Sequence, residues 1–308
     1  MSNSHFTLSE IAANAREYGI VCEAVEHMNG GQSNTNYLLH SQTGKFVLTV
    51  FENDSHERVV IHAKVLDWLA NHQFPSSRVQ MANNGQWSIV RRGKPIMVKR
   101  FMDGAVCQTL DKAMLTQVGQ ALATMHCLPC PPWLAAHHTF ERLFPIVIEN
   151  TIDPMFGAWL ATQWESSVGI SADLPQGLIH ADLFWDNILF TDSQLTAIID
   201  FEHVLQGAFA FDIGMTIVGT CAIDGVVDLG KVRVLLDSYQ RVRQLNEQER
   251  QSVQPLTRYA AAMIACWRFW RYRIDLGLMG DQHQNMVRIA EQMAAIPSNQ
   301  FFFDGIES

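Results

Sequence analysis

Residues 177–190 read GLIHADLFWDNILF, and their spacing governs what can be expected of the whole chain. Apolar runs enclose the pattern His180-x-Asp182-x-x-x-x-Asn187, and thirteen residues after Asn187 a second apolar segment, IIDF, delivers Asp200. Two strands joined by the turn TDSQ would bring Asn187 and Asp200 to one end of a ribbon. An amide oxygen and a carboxylate in such a place are ligand types that suit Mg²⁺.

Asp182 lies one short loop away from that pair and is free to accept a proton from a hydroxyl group. Phosphoryl transfer needs a metal to screen the donor phosphates and a group that orients the acceptor alcohol, and these residues supply both parts. The alternative is a polar turn between core strands, with the acids as caps. The first motif alone arises by chance in about one chain in a hundred of this size, and the downstream Asp-Phe makes coincidence rarer.

The composition indicates a globular protein without a polyanionic partner. The 308 residues are 48% hydrophobic and 17% charged, with a formal net charge of -9. Such a balance argues against nucleic-acid polymers, which call for a basic surface, but not against a nucleotide whose phosphates a metal screens. The amino terminus has no signal-peptide pattern, and no apolar run approaches the ~20 residues of a membrane helix. We therefore expect a cytoplasmic protein with no membrane partner.

The six cysteines are spread along a chain that is too large to need disulfides. One cluster combines Cys127 and Cys130 with His137 and His138, which are soft metal ligands. Structural zinc usually needs a second matched pair, so reduced thiols in a loop are the favoured interpretation. The role of the cluster stays open.

Short strand-like runs fill the first third of the chain, and helical patterns fill the rest. About five strands in a meander, with one helix between them, predict an antiparallel sheet. Helical patterns follow at roughly 110–126, 153–167, 211–222, 229–243 and 246–276. The predicted fold is α+β, with a small sheet-rich lobe over residues 1–98, a hinge near 98–104 and a larger, mainly helical lobe over 99–308.

Five segments together resemble a known family: NTNYLL at 34–39, GKFVLTVFE at 44–52, GLIHADLFWDNILF at 177–190, IIDF at 198–201 and FDIG at 211–214. They are similar to the protein-kinase-like superfamily and, within it, to the aminoglycoside phosphotransferase branch. Inside that branch the sequence most resembles the bacterial homoserine kinases of the kinase-like type. The likeness runs from about residue 7 to residue 275 and implies a bilobal kinase-like fold.

The resemblance implies transfer of the γ-phosphoryl group of ATP to the hydroxyl of a small metabolite, with L-homoserine as the favoured acceptor. Asp182 would orient and deprotonate the alcohol, while Asn187 and Asp200 would hold Mg²⁺ on the phosphates. The alternatives are a kinase of another small alcohol (an aminoglycoside, a choline-like alcohol or a sugar), a nucleotide-binding pseudokinase, and a structural or interaction protein. The protein would be a monomer or a homodimer.

On the donor side, the loop NGGQSNTN over residues 29–36 stands where kinases fold a glycine-containing loop over phosphates. Gly31, Ser33 and Asn34 are the candidate contacts, although the loop lacks the GxGxxG spacing. By the same resemblance, the hinge backbone around Arg100 and Met102 would meet the adenine.

One position departs from the kinase pattern. The third strand reads FVLT, so Thr49 stands where most kinases carry a lysine that holds the donor phosphates. A hydroxyl supplies no charge, so the phosphate contact is weaker or comes from another residue. Homoserine kinases of this type share the VLT sequence, which favours an active enzyme over a degenerate one.

The acceptor site is less defined by the sequence. Glu202 is placed to reach an amino group, and Arg268 or Arg271 to meet a carboxylate bidentately. The segment CWRFWRYR, residues 266–273, is equally typical of helix packing with snorkelling cations. We expect Asp212 to stabilise the catalytic loop rather than to touch substrate.

Overall fold

The structure is a computed structural model that describes residues 6–28, 34–135, 141–150, 152–167, 169–170 and 173–297. The chain divides into two compact units. The sheet unit comprises Met1–Ala105 and Thr196–Glu202, and the helical unit comprises Val106–Leu195 and His203–Ser308. In the described part of the chain, no helix combines the length and the apolar character needed to cross a membrane.

The sheet unit is built on an antiparallel sheet in the order β1-β2-β3-β6-β4, with β5 also paired to β6. Its first helix begins at a capping box formed by Thr7 and Glu10, which the sequence pattern Thr7-Leu-Ser-Glu10 predicts. The elements are α1 (Leu8–Arg16), β1 (Ala24–Met28), β2 (Asn34–Ser41), β3 (Gly44–Phe51), α2 (His56–Asn71), β4 (Val79–Gln80), β5 (Ile89–Arg91) and β6 (Lys94–Arg100).

The two faces of this sheet differ in character, because side chains alternate along each strand. One face is apolar and packs against Ile11 and Ala15 of α1 and against Tyr18, which follows that helix. It carries Tyr37, Leu39, Phe46, Leu48, Val50, Ile96 and Val98. The register places the alternate residues on the opposite face, which is more polar and includes Asn34, Asn36, Val47, Thr49, Met97 and Lys99.

The helical unit contains most of the helices of the described residues. Its helices are α3 (Lys112–His126), α4 (Leu143–Ile148), α5 (Pro154–Ser167), α6 (Phe209–Thr220), α7 (Leu229–Gln240), α8 (Glu247–Phe269) and α9 (Gln284–Ala295). Its short strands are β7 (Gln176–Ile179), β8 (Ile188–Thr191), β9 (Gln194–Ile198, which continues into the sheet unit), β10 (Leu205–Ala208), β11 (Ala222–Ile223) and β12 (Val226–Val227). A π-helical turn, Trp270–Asp275, follows α8.

Helix α6 is the centre of the helical unit, and every one of its residues is buried. It crosses α8 closely at Gly214, where an added Cβ would lie 2.7 Å from the backbone nitrogen of Thr257. At Gly219 an added Cβ would lie 2.6 Å from the carbonyl oxygen of Leu183. The absence of side chains at these two glycines therefore lets α6 pack directly against both α8 and the segment that contains Asp182.

Candidate active site

The segment that carries Asp182 is a tight loop between β7 and a 3₁₀ turn, Trp185–Asn187. Ala181 has a φ of 64°, a left-handed conformation that costs energy for a residue other than glycine. Asn187 Nδ2 donates to the carbonyl oxygen of Asp182 at 2.8 Å, which closes the loop. Strain of this kind persists only where the surroundings hold the backbone in place.

Asp212 is the residue that holds it. Its carboxylate has no exposed surface and accepts hydrogen bonds from the backbone nitrogens of His180, at 2.8 Å, and of Ala181, at 2.7 Å. His126 Nε2 lies 3.0 Å from the same carboxylate. Burial works against ionisation, but these hydrogen bonds outweigh it and hold the pKa of Asp212 below its usual value. The predicted loop-stabilising role of Asp212 is consistent with these contacts.

A chain of buried polar groups continues from Asp212 through α3 and α7. Tyr239 Oη lies 2.7 Å from His126 Nδ1 and accepts from Arg243 Nη1 at 3.2 Å. The tyrosine proton is thus directed to Nδ1, which assigns the hydrogen of the imidazole to Nε2. Burial lowers the pKa of His126, so the ring is neutral beside an ionised Asp212. Arg243 closes the chain as an ion pair with buried Glu249, at 2.8 Å.

Asn187 is positioned to offer an oxygen ligand. Its side chain is 9% exposed, and its amide nitrogen is used by the bond to the Asp182 carbonyl. The amide oxygen accepts no hydrogen bond from any residue that the structure describes. A carbonyl-type oxygen left in this state is a suitable ligand for a hard cation such as Mg²⁺.

Arg268 is close enough to the Asp182 loop for its pKa to respond to the charges there. Burial lowers the pKa of this guanidinium, while the negative charges of Asp186 and Asp182 raise it. Its Nη1 donates to the carbonyl oxygen of Gln282 at 3.2 Å. By contrast, Arg271 forms an ion pair with Asp275 inside the π-helical turn. Of the two arginines that the sequence suggests for an acceptor carboxylate, Arg268 is therefore the one not paired with a carboxylate of its own helix.

The second acidic segment belongs to the sheet unit. Ile198 forms a parallel bridge with Ser76, and the ring of Phe201 meets that of Phe74 edge to face at 6.3 Å. Between them Asp200 has a φ of 66°, again a left-handed conformation at a residue other than glycine. The residue is therefore held by packed neighbours on both sides.

Glu202 is hydrogen-bonded within the sheet unit, where Asn34 Nδ2 donates to Glu202 Oε1 at 2.7 Å. Burial and the neighbouring Asp200 carboxylate raise the pKa of Glu202 to about 8, against the lowering effect of Lys99. A divalent cation bound between two such carboxylates would relieve their mutual repulsion. Asn34, Asp200 and Glu202 thus share one polar cluster with Lys99.

The remaining donor-side predictions fall on residues with different surroundings. Thr49 is 1% exposed, and its hydroxyl donates to Asn36 Oδ1 at 2.7 Å. The guanidinium of Arg100 stacks over the Phe46 ring at 5.4 Å, and Met102 is half-buried. Gly31 and Ser33 lie outside the described residues.

The cysteine cluster is not part of this arrangement. Cys127 is exposed and Cys130 is half-buried, and both are free thiols. Burial raises the pKa of the Cys130 thiol. His137 and His138 lie outside the described residues, and the described part of the chain contains no group of three or more His, Cys, Asp and Glu side chains that would hold a metal.

Sequence reasoning missed His126, Tyr239 and Lys99. His126 and Asp212 are 86 residues apart, and His126 and Tyr239 are 113 apart. Residues so far apart form no recognisable sequence motif. The sequence does show a histidine and a tyrosine on otherwise apolar helix faces, and such side chains need hydrogen-bond partners when they are buried.

A sheet unit joined to a helical unit, with an aspartate loop anchored on a buried carboxylate, defines a kinase-like fold. Amicoumacin kinase hAmiN, solved in complex with AMP-PNP, Ca²⁺ and Ami, shares this fold with a TM-score of 0.73 at 14% identity, over 96% of this chain and 98% of that one. The chain belongs to the phosphotransferase enzyme family, whose sequence model matches residues 24–245.

Curated relatives agree with this membership. The homoserine kinase of Caulobacter sp. (strain K31) is 31% identical over 274 residues, 83% of this chain and 83% of that protein. The homoserine kinase of Methylobacillus glycogenes is 30% identical over 258 residues, 80% of this chain and 77% of that protein. The predicted family is therefore confirmed.

Proposed function

We propose that the protein transfers the γ-phosphoryl group of ATP to the side-chain hydroxyl of L-homoserine. The observation that carries the proposal is the loop that contains Asp182, whose backbone is held by Asp212. A homoserine kinase that aligns over more than three quarters of this chain supports the choice of acceptor. A kinase needs little covalent chemistry from its protein, because positioning and charge stabilisation supply most of the rate.

In this mechanism Asp182 orients the acceptor alcohol and takes its proton as the phosphoryl group is transferred. General-base assistance of this kind contributes about 10²–10⁴-fold to the rate. Asp212 fixes the two peptide groups that precede Asp182. It acts through them and is a positioning residue, and the buried hydrogen-bond chain to His126 and Tyr239 supports it in turn.

The donor is ATP with Mg²⁺, in keeping with a structural neighbour that holds AMP-PNP and Ca²⁺. When bound, the cation screens the negative charge of the phosphates. We assign it to Asn187 and Asp200. The free amide oxygen of Asn187 and the crowded carboxylates of Asp200 and Glu202 are donors of the type that Mg²⁺ prefers.

The acceptor carboxylate is assigned to Arg268. The Asp182 charge raises the pKa of the Arg268 guanidinium, which donates from Nη1 to the backbone carbonyl of Gln282 and keeps other donors for a bidentate contact. An amino-acid acceptor would then place its carboxylate on Arg268 and its hydroxyl at Asp182. The predicted pairing of the acceptor's amino group with Glu202 remains a prediction, because Glu202 already bonds to Asn34.

The observation that favours a non-catalytic nucleotide-binding protein is Thr49, which is buried and bonded within the sheet. The two functions differ in a simple way. A kinase consumes ATP in the presence of its acceptor, whereas a pseudokinase binds the nucleotide and releases no ADP.

The test is ADP release with Mg²⁺ and ATP across homoserine, serine, choline, methylthioribose and an aminoglycoside. A no-acceptor reaction and the Asp182→Asn variant serve as controls. Selective turnover with homoserine supports the proposal. Turnover with another acceptor alone would keep the chemistry and discard the substrate, and silence with retained ATP binding would favour the non-catalytic alternative.

A further inference from the structure

Thr49, on the polar face of the sheet, provides no positive charge for the phosphates of a nucleotide. The Thr49 hydroxyl is buried, and its hydrogen is committed to Asn36 Oδ1 at 2.7 Å. Neither a positive charge nor a free donor is therefore available from this position. Donor phosphates carry several negative charges, so a phosphotransferase with this sheet needs a cation elsewhere.

Most other cations of the sheet unit are already engaged. Lys94 bonds to the Glu52 carbonyl and lies 3.7 Å from its carboxylate, and Lys45 stacks over the Phe101 ring at 5.7 Å. The arginines Arg58, Arg91 and Arg92 form ion pairs with Asp54, Glu17 and Glu10, and Arg100 stacks over Phe46. None of these groups is held ready for a ligand.

Arg78 is a competing cation, since its Nη1 atom is buried without a hydrogen-bond partner among the described residues. The register decides against it. Val79 pairs with Lys99, so the preceding residue, Arg78, lies beside Arg100 on the other face of the sheet. That is the face that packs against α1.

Lys99 lies on the polar face. It pairs with Val47, one step along the same face from the pair of Thr49 and Met97. Its side chain is partly buried. Lys99 therefore lies on the same face as Thr49, on the neighbouring strand.

We propose that Lys99 binds the donor phosphates and replaces the strand lysine that Thr49 has displaced. The cation would lie on the neighbouring strand β6 instead of β3, on the same face and two residue pairs away. This inference rests on the proposed use of ATP. It assigns a binding role to a residue that the kinase sequence pattern does not mark.

A purely structural role is the competing explanation, in which Lys99 only neutralises Glu202 and Asp200. The two roles differ in what they predict for ligands with and without phosphates. Loss of a phosphate-binding lysine weakens the binding of ATP but not that of adenosine. Loss of a structural counterion weakens the binding of both ligands to a similar extent, or lowers the stability of the fold.

The experiment measures the dissociation constants of ATP and adenosine by calorimetry in the presence of Mg²⁺, for the wild type and Lys99→Met. Arg91→Met is the matched control, because it removes an engaged surface cation from the same sheet. We expect Lys99→Met to weaken ATP binding at least tenfold and to change adenosine binding less than twofold. Lys99→Arg should retain most of the ATP affinity, and circular dichroism checks that each variant is folded.

A second variant tests the replacement directly. Thr49→Lys combined with Lys99→Met returns the cation to β3 and should recover a substantial part of the ATP affinity. If Lys99→Met binds ATP as tightly as the wild type, or loses affinity for ATP and adenosine equally, the assignment of Lys99 is wrong. A wild-type protein that binds no ATP would instead overturn the proposed function, and with it this inference.

Discussion

His126 donates a hydrogen bond from Nε2 to the Asp212 carboxylate across 3.0 Å, and neither side chain has any exposed surface. The bond ties α3 to the start of α6, and Asp212 in turn holds the two amides that precede Asp182. A buried carboxylate is tolerated here because it accepts bonds from three donors.

Replacement of Asp212 by Asn should destabilise the protein by about 3 kcal/mol, because an amide nitrogen would face one of the donors that the carboxylate now satisfies. Turnover should fall with it, since the loop before Asp182 loses an anchor. Urea denaturation measures the stability. Asp186→Asn, at an exposed position in the same loop, should change it by less than about 0.5 kcal/mol. Equal stabilities for the two variants would contradict the anchoring role.

Asp182→Asn should lower kcat by about 10²–10⁴-fold and leave the ATP dissociation constant within a factor of two, because the change removes a proton acceptor and keeps the shape. Initial-rate kinetics and calorimetry measure the two quantities. Asp186→Asn again serves as the matched control and should retain turnover. Undiminished turnover in Asp182→Asn would rule out this residue as the base.

His126→Gln should alter the pH dependence of stability as well as its level. Burial lowers the pKa of His126 in the folded state, so below the unfolded value of about 6.5 only the unfolded chain takes up the proton. The stabilising contribution is therefore complete above pH 6.5 and is lost as the pH falls through that value.

The free energy of unfolding, measured at pH 7.5 and pH 5.5, gives the check. The wild type should lose up to about 1.4 kcal/mol more than His126→Gln over this interval. His283, whose pKa burial also lowers, is present in both proteins and cancels in the comparison. Parallel losses in the two proteins would show that His126 does not titrate between folded and unfolded states in this way.

Arg268→Ala should raise KM for homoserine at least tenfold, with a smaller effect on KM for ATP, because it removes the proposed partner of the acceptor carboxylate. Arg271→Ala is the natural comparison, since Arg271 already pairs with Asp275. Steady-state kinetics with homoserine and with 3-amino-1-propanol, which keeps the amine and the hydroxyl but has no carboxylate, provide the measurement. If the two variants discriminate equally between these two acceptors, the carboxylate is not bound by Arg268.

Much of the fold and of the candidate site follows from short-range patterns. The capping box at Thr7 and Glu10, the run of strands, and five of the helices of the helical unit were all predictable from the sequence. The π-helical turn at the end of α8 was not, and helices α4 and α9 gave no clear periodic signal. Short or irregular helices depend on packing more than on their own residues.

Local spacing was sufficient for most of the longer elements of this protein, because capping, alternation and helical periodicity operate over a few residues of backbone. Long-range packing decided the rest. The bond between His126 and Asp212 joins residues 86 positions apart, and the face on which Lys99 lies depends on how β6 registers with β3. A shift of one residue in that register would turn Lys99 to the opposite face, so its role follows from strand pairing and not from its neighbours in the sequence.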